Sequence, residues 1–222
     1  MLACIVPAHN EEARIERCLA ALRIAADHPA LAREPTLLIV VLDHCSDDTE
    51  PRARRMGATL TRVDARNVGV ARHAGARLAI EMGARWLAFT DADSQVQPDW
   101  LVQQLGLRSA VVCGTVQVSD WTDFPLHVRQ RHERTYCDRD GHRHIHGANL
   151  GVCADAYTQA GGFDPLHCHE DVALVGRLIA AGFRVAWSAR PRVLTSARRG
   201  ARVQGGFASH LVALEAGLAA GS

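Results

Sequence analysis

LACIVPAHNEEARIERCLAALRIAADHPALAREPTLLIVVLDHCSDDT, residues 2–49, holds a pattern that the rest of the first half repeats. Its apolar runs Leu2–Pro7 and Thr36–Leu42 are short, uncharged and bounded by turn residues, as strands buried on both faces are. Between them, Ala13–Ala26 places Ile15, Leu19, Leu22 and Ala26 at helical offsets, with charge on the other side. The unit recurs. Strands are expected at Ala58–Val63 and Trp86–Thr90, and helices at Asp48–Met56 and Gly69–Met82. The last of these puts Val70, Ala74, Leu78 and Met82 on one stripe, and Gly57 and Gly83 stand at C-cap positions. Strand and helix in turn predict an α/β fold: a mainly parallel central sheet in a three-layer α/β/α sandwich.

The composition agrees. The chain has 222 residues, 48% hydrophobic and 22% charged, which fits a single globular domain over 1–222. The 25 basic residues are all arginine and face 24 acids; a net charge of +1 lacks the basic excess of a nucleic-acid binder. No apolar run approaches the roughly 20 residues that cross a bilayer. MLACIVPAHNEE has no basic n-region, so a signal peptide is not expected and a soluble, cytoplasmic protein is. A peripheral contact with a membrane carrying a lipid acceptor stays compatible with this reading. The 7 cysteines are scattered, with no CxxC, and read as reduced thiols rather than disulfides or a zinc site.

The second half is less regular. Strands are expected at Ala110–Val118, Gly147–Val152 and Arg184–Ser188, with helices near Ala154–Ala160 and over Asp171–Ala181. The last carries Val172, Val175 and Ile179 on one side and ends at Gly182. Residues 119–146 mix arginine, histidine and acids with few apolar anchors, and read as a lid or a helix-plus-loop insertion rather than core. This divides the chain into a first half, 1–118, and a second half, 119–222.

In a sheet of this kind, ligands sit beyond the carboxyl ends of the strands. His9, Asn10, Glu11 and Glu12 follow the first strand; Asp43, His44, Ser46, Asp47 and Asp48 follow the second; Asp91-Ala92-Asp93 follows the fourth. Polar and anionic groups therefore converge on one edge. Asp91 and Asp93, two apart at a strand end, can both reach a hard divalent cation that keeps water and phosphate oxygens in its other positions. The same pair also suits a solvated turn.

Four segments in order, IVPAHNEEARIERCLAAL, VVLDHCSDDT, NVGVARHAGARLAIEMGARWLAFTDADS and HGANLGVCADAYTQAGGFDPLHCHEDVALVGRLIAAGFRV, resemble family 2 glycosyltransferases of the GT-A, Rossmann-like fold. The likeness covers residues 2–188. It implies a nucleoside-diphosphate-sugar donor carrying uracil or guanine, a divalent metal (Mn2+ or Mg2+) and an acceptor of unknown identity. It implies that the first half binds the donor and the second the acceptor. By the resemblance, Pro7, Ala8 and His9 pass under the base, with Glu11 near the ribose and Asp43 on the base. Leu42 and His44-Cys45 stand where the family has an acid and Gly-Ser. Asn67, Gly69 and Arg72 fall near the sugar and phosphates, and Gly147, Ala148 and Asn149 near the donor sugar. Asp93 would be the direct metal ligand, Asp91 a ribose or metal-water contact, and Asp171 the general base.

Inverting sugar transfer independently asks for that kit. One carboxylate takes the acceptor's proton while a cation answers the charge on the departing diphosphate. Asp93 suits the second role; Glu170 or Asp171 suits the first, although an acid at a helix start can simply cap the dipole. A retaining transferase and a non-catalytic nucleotide-sugar binder stay open at this stage. His142, His144 and His146 alternate, which suits a metal face in an extended strand or a wet loop. Arg198, Arg199 and Arg202 could clamp the diphosphate or lie in solvent. Ser196 lies near where the family offers a further metal ligand, but hydroxyls ligate poorly.

Overall fold

The computed structural model describes residues 1–166, 168–197 and 207–217. One eight-stranded sheet organises the chain, in the order β3-β2-β1-β4-β7-β6-β8-β5. Its strands are β1 (Leu2–Ala8), β2 (Thr36–Asp43), β3 (Thr59–Val63), β4 (Trp86–Phe89), β5 (Gln95–Val96), β6 (Val111–Asp120), β7 (Leu150–Cys153) and β8 (Val185–Ser196). β3, β2, β1 and β4 run parallel; β7 lies antiparallel between β4 and β6, and β8 returns parallel to β6.

Both faces of β1 are buried. Leu2, Cys4 and Val6 face one apolar cluster and Ala3 and Ile5 the other. That is why the strand reads as an unbroken apolar run rather than an alternating one. The first face is covered by α1 (Ile15–Ala26), α2 (Thr49–Arg55) and α4 (Trp100–Gly106). The second is covered by α3 (Val68–Glu81), α6 (Ala154–Gln159) and α7 (Glu170–Ala180). The expected α/β/α sandwich is present.

Two helices turn a different face inward from the one the apolar stripes suggest. α3 buries Gly69, Ala71, Arg72, Gly75, Ala76 and Ala79, while Met82 is 42% exposed. The cause is close approach: a Cβ on Gly75 would fall 2.5 Å from Ile5 and 2.8 Å from Val41. Bulk goes to the flanks. α7 buries Leu174, Val175 and Leu178 and exposes Val172 and Ile179.

Residues 119–146 contain α5 (Leu126–Thr135), as a helix-plus-loop reading allows. Part of the segment is nonetheless core. Phe124 and Val128 pack with Ala197, Leu211 and Leu214, the last two on α8 (Phe207–Glu215). The three alternating histidines stack in a row, with His144 and His146 against Tyr136 and His142 edge-on to Trp187. His144 stacks on Tyr136 at 4.3 Å between centroids, with His142 and His146 stacked on His144 at 5.5 and 5.8 Å.

Asn149 ties the sheet together. It is fully buried, its amide donating to the carbonyls of Thr115 and Pro191 (2.7 Å each) and accepting from Trp100 Nε1 at 2.8 Å. A register shift in the β6–β8 pairing brackets residue 191. Asn149→Ala would strand three buried polar groups, each costing about 1–3 kcal/mol. We expect it to lower unfolding stability by about 3 kcal/mol or more, read by denaturant titration.

Candidate functional site

The carboxyl ends of β1, β2 and β4 meet on one edge, and most of the polar residues there first serve to hold the loops. Ser46 N–H donates to Asn10 Oδ1 at 2.8 Å, Glu11 N–H to Thr49 Oγ1 at 2.7 Å, and Glu12 N–H to Asp47 at 3.0 Å. The loops after β1 and β2 are thereby sewn together. Pro7 and Ala8 close β1, and His9 Nδ1 donates to the carbonyl of Asp43 at 2.7 Å. His44, at φ +53°, stands where the resemblance has glycine. Asp64 and Arg66 hold its ring from either side, and the ring stacks toward His9 at 6.2 Å.

Asp43 is buried, and both its oxygens are engaged. The backbone N–H groups of Ala65 and Arg66 donate to Oδ1 (2.9 Å each) and that of Asn67 to Oδ2 at 2.8 Å. Its observed work is to shape the turn into α3. Asn67 then caps that helix, its Oδ1 accepting from Val70 N–H at 3.1 Å while its amide donates to the Pro165 carbonyl at 3.2 Å. Asn149 lies below the site with its amide committed to the scaffold.

The centre is Arg72. It is 4% exposed, and its Nη2 donates to Asp91 at 2.6 Å while Nη1 is paired with Glu170. Glycines make the room. A Cβ on Gly147 would sit 2.4 Å from the Arg72 guanidinium carbon, and one on Gly69 would strike the Asp164 carbonyl at 2.3 Å. Gly147 in turn donates its N–H to Asp171 Oδ2 at 2.7 Å. Asp91, Glu170 and Asp171 therefore surround one cation on one wall. Burial alone would push the Arg72 guanidinium down; Asp91, Glu170 and Asp171 outweigh it, and the net direction is up. Burial raises the Glu170 carboxyl; Arg72 opposes that rise, and Asp171 and Asp91 add to it.

Asp93 lies two residues beyond Asp91, with buried Ala92 between them. Ser196 Oγ, at the end of β8, donates to Asp93 Oδ2 at 3.2 Å. Ser94 donates to Thr195 at 3.1 Å, and β5 pairs with Val193–Leu194. The acidic turn is thus stitched to the last strand. Nothing local in the sequence marks Ser94, Thr195 or Ser196 for this, because the pairing spans about half the chain. Arg198, Arg199 and Arg202 lie outside the described residues.

Among the described residues, no three His, Cys, Asp or Glu side chains are grouped to hold a metal unaided. Asp91 and Asp93 nevertheless fit a cation of the magnesium or manganese type, which takes one or two carboxylates and fills its shell with phosphate and water. Arg72 occupies one oxygen of Asp91, and hydroxyls of Ser94 and Ser196 reach the two oxygens of Asp93.

Three solved structures share the architecture. Staphylococcus aureus TarS 1–349 in complex with UDP-GlcNAc is 15% identical over 98% of this chain, with a TM-score of 0.68. The mannosyltransferase PcManGT of Pyrobaculum calidifontis, in complex with GDP-Man and Mn2+, is 16% identical over 90%, at 0.65. Mycobacterium tuberculosis glucosyl-3-phosphoglycerate synthase, with Mn2+, UDP-Glc and phosphoglyceric acid, is 21% identical over 96%, at 0.63. The chain spans 66%, 58% and 78% of those chains, respectively. No curated protein matches the sequence. At these identities the likeness establishes the fold, the GT-A arrangement. The model of glycosyl transferase family 2 matches residues 3–159, most of the chain, so this protein belongs to glycosyl transferase family 2.

Proposed function

We propose that the chain transfers a sugar from a UDP- or GDP-sugar to an acceptor hydroxyl, with inversion and with the help of Mn2+ or Mg2+. The observation that carries this reading is the single wall on which Asp91, Arg72, Glu170 and Asp171 meet. The nucleotide sugars bound by the three structural neighbours support the donor class.

The donor lies along the edge with its base toward His9 and His44 and its diphosphate toward residues 91–93. When bound, the cation offsets negative charge growing on the departing diphosphate. Asp93, with Asp91 beside it, holds that cation. Asp171 accepts the acceptor's proton as its oxygen attacks the anomeric carbon from the opposite side. Two backbone N–H groups, of Gly147 and Val172, fix the orientation of Asp171 and leave it accepting capacity. Glu170, committed to Arg72, is not placed to take that proton. The second half, with 119–146, supplies the acceptor side. Among the described residues, no helix is long and apolar enough to cross a membrane.

A thermal-shift panel of UDP- and GDP-sugars with and without Mn2+ tests the donor class. A ligand at a hundred times its Kd adds about 2.7 kcal/mol to the native state. One nucleotide should raise the melting temperature in the presence of Mn2+, and Asp93→Ala should lose the Mn2+-dependent part together with donor cleavage. Proton NMR of the product should show the anomeric configuration opposite to the donor's. Stabilisation by no nucleotide sugar would remove the reading, and a retained configuration would remove its inverting step.

A further inference from the structure

Glu170 is as deeply buried as Asp43, each 4% exposed, and the mechanism gives it no proton to carry. We propose that it is a positioning residue that keeps Asp91 available to the cation by absorbing the charge of Arg72. The inference rests on the function proposed above and assigns Glu170 a role within it.

Arg72 is a fork with two carboxylates on it. Nη1 pairs with Glu170 and Nη2 reaches Asp91 at 2.6 Å, with Arg72 and Glu170 each 5% exposed at the side chain and Asp91 36%. The partner deep in the protein is Glu170, and the partner facing the ligand edge is Asp91. A guanidinium beside a metal carboxylate would by itself repel a cation and spend that carboxylate's charge. Glu170 answers Arg72 from behind, so Asp91 is oriented by a hydrogen bond without losing its pull on a dication.

The surroundings hold this fork at a cost. Among the described residues, buried Arg72 Nε has no hydrogen-bond partner, a penalty of about 1–3 kcal/mol. Gly147 and Gly69 are shaped around Arg72 and the start of α7, where any side chain would clash. Phe163 lies under the guanidinium at 5.9 Å from the ring centre. An arrangement kept despite an unsatisfied buried donor is expected where orientation matters more than stability.

The test is a cycle on the full chain with Glu170→Gln, Asp91→Asn and the double variant. Mn2+ binding is measured by EPR in the presence of UDP and, separately, GDP; donor cleavage is measured across Mn2+ concentration. Partners of a metal ligand typically affect metal affinity 10–100-fold. Glu170→Gln should weaken Mn2+ about 10-fold, Asp91→Asn by a similar factor, and the double variant scarcely more than either. The loss in cleavage should appear as a higher Mn2+ requirement, with kcat recovered at saturating Mn2+. Where Glu170→Gln fails to fold, Glu170→Asp, which keeps the buried charge, should hold Mn2+ close to the wild-type affinity, and a loss of about 10-fold there would overturn the assignment. Unchanged Mn2+ affinity, additive losses, or a kcat that stays low at saturating Mn2+ would overturn the assignment. Wild type that holds Mn2+ with neither nucleotide would overturn the proposed function along with it.

Discussion

Asp171→Asn should lower turnover of the nucleotide sugar by about 10²–10⁴-fold, the usual contribution of a positioned base. Donor affinity should stay near that of the wild type. The split follows from geometry. Asp171 Oδ2 accepts from Gly147 N–H at 2.7 Å and Oδ1 from Val172 N–H at 2.8 Å. An asparagine oxygen can keep one of those bonds, so α7 and the 147–149 turn stay in place while proton-accepting power disappears. Donor contacts assigned to β1, β2 and the 91–93 turn are untouched. Steady-state kinetics with separate donor titration measures this: a fall in kcat at constant Kd is expected. A variant with wild-type kcat would transfer the base role elsewhere.

Arg72→Met should be the most destabilising single replacement at the site, by about 3–5 kcal/mol at neutral pH, the range for breaking a buried ion pair from one side. Methionine fills much of the volume but leaves Glu170, 4% exposed, facing Asp91 and Asp171 with no cation between. The deficit should depend on pH. Burial already raises the Glu170 carboxyl, and removing Arg72 takes away the group opposing that rise. A carboxyl raised in the folded state adds stability below its unfolded value of about 4.5, and that stability is lost as pH climbs through the folded value. The gap between variant and wild type should therefore narrow toward pH 4–5, as seen in denaturant titrations across pH. The double replacement Arg72→Met/Glu170→Gln should recover part of the loss. A constant gap across pH would mean the cost is packing rather than an uncompensated charge.

The architecture was legible in residues 2–90 because its signal is local. Unbroken apolar runs announce strands buried on both sides, and α1 buries Ile15, Leu19 and Leu22 as its spacing implies. The inward faces of α3 and α7 were not legible from apolar stripes. Close approach to the sheet favours glycine and alanine over bulk at Gly75, Ala76 and Ala79, and a stripe of large residues marks only the flank. β5 and α4 carry no such local signal. β5 is two residues long and exists through its pairing with β8, and α4 is a short helix whose Trp100 matters for reaching Asn149.

At the site, sequence order brings the polar residues to one edge but does not show their partners. Glu170 next to Asp171 looks like a helix cap or a second acid, and only the fold shows it behind Arg72. Asp43 and Asn149 read as ligand contacts, and the fold adds the bonds their polar atoms make within the protein. Ser196 near Asp93 follows from the long β8 and its alignment beside β6.

In the proposed mechanism, one sugar sits between the cation carboxylates and Asp171. A crystal structure of the chain with Mn2+ and a non-hydrolysable UDP- or GDP-sugar addresses it directly. The metal should lie on Asp93 against the diphosphate, with the anomeric carbon between that metal and the Asp171 carboxylate and the Arg72 fork intact behind them. A donor whose sugar points away from Asp171, or whose diphosphate lies off residues 91–93, would contradict it.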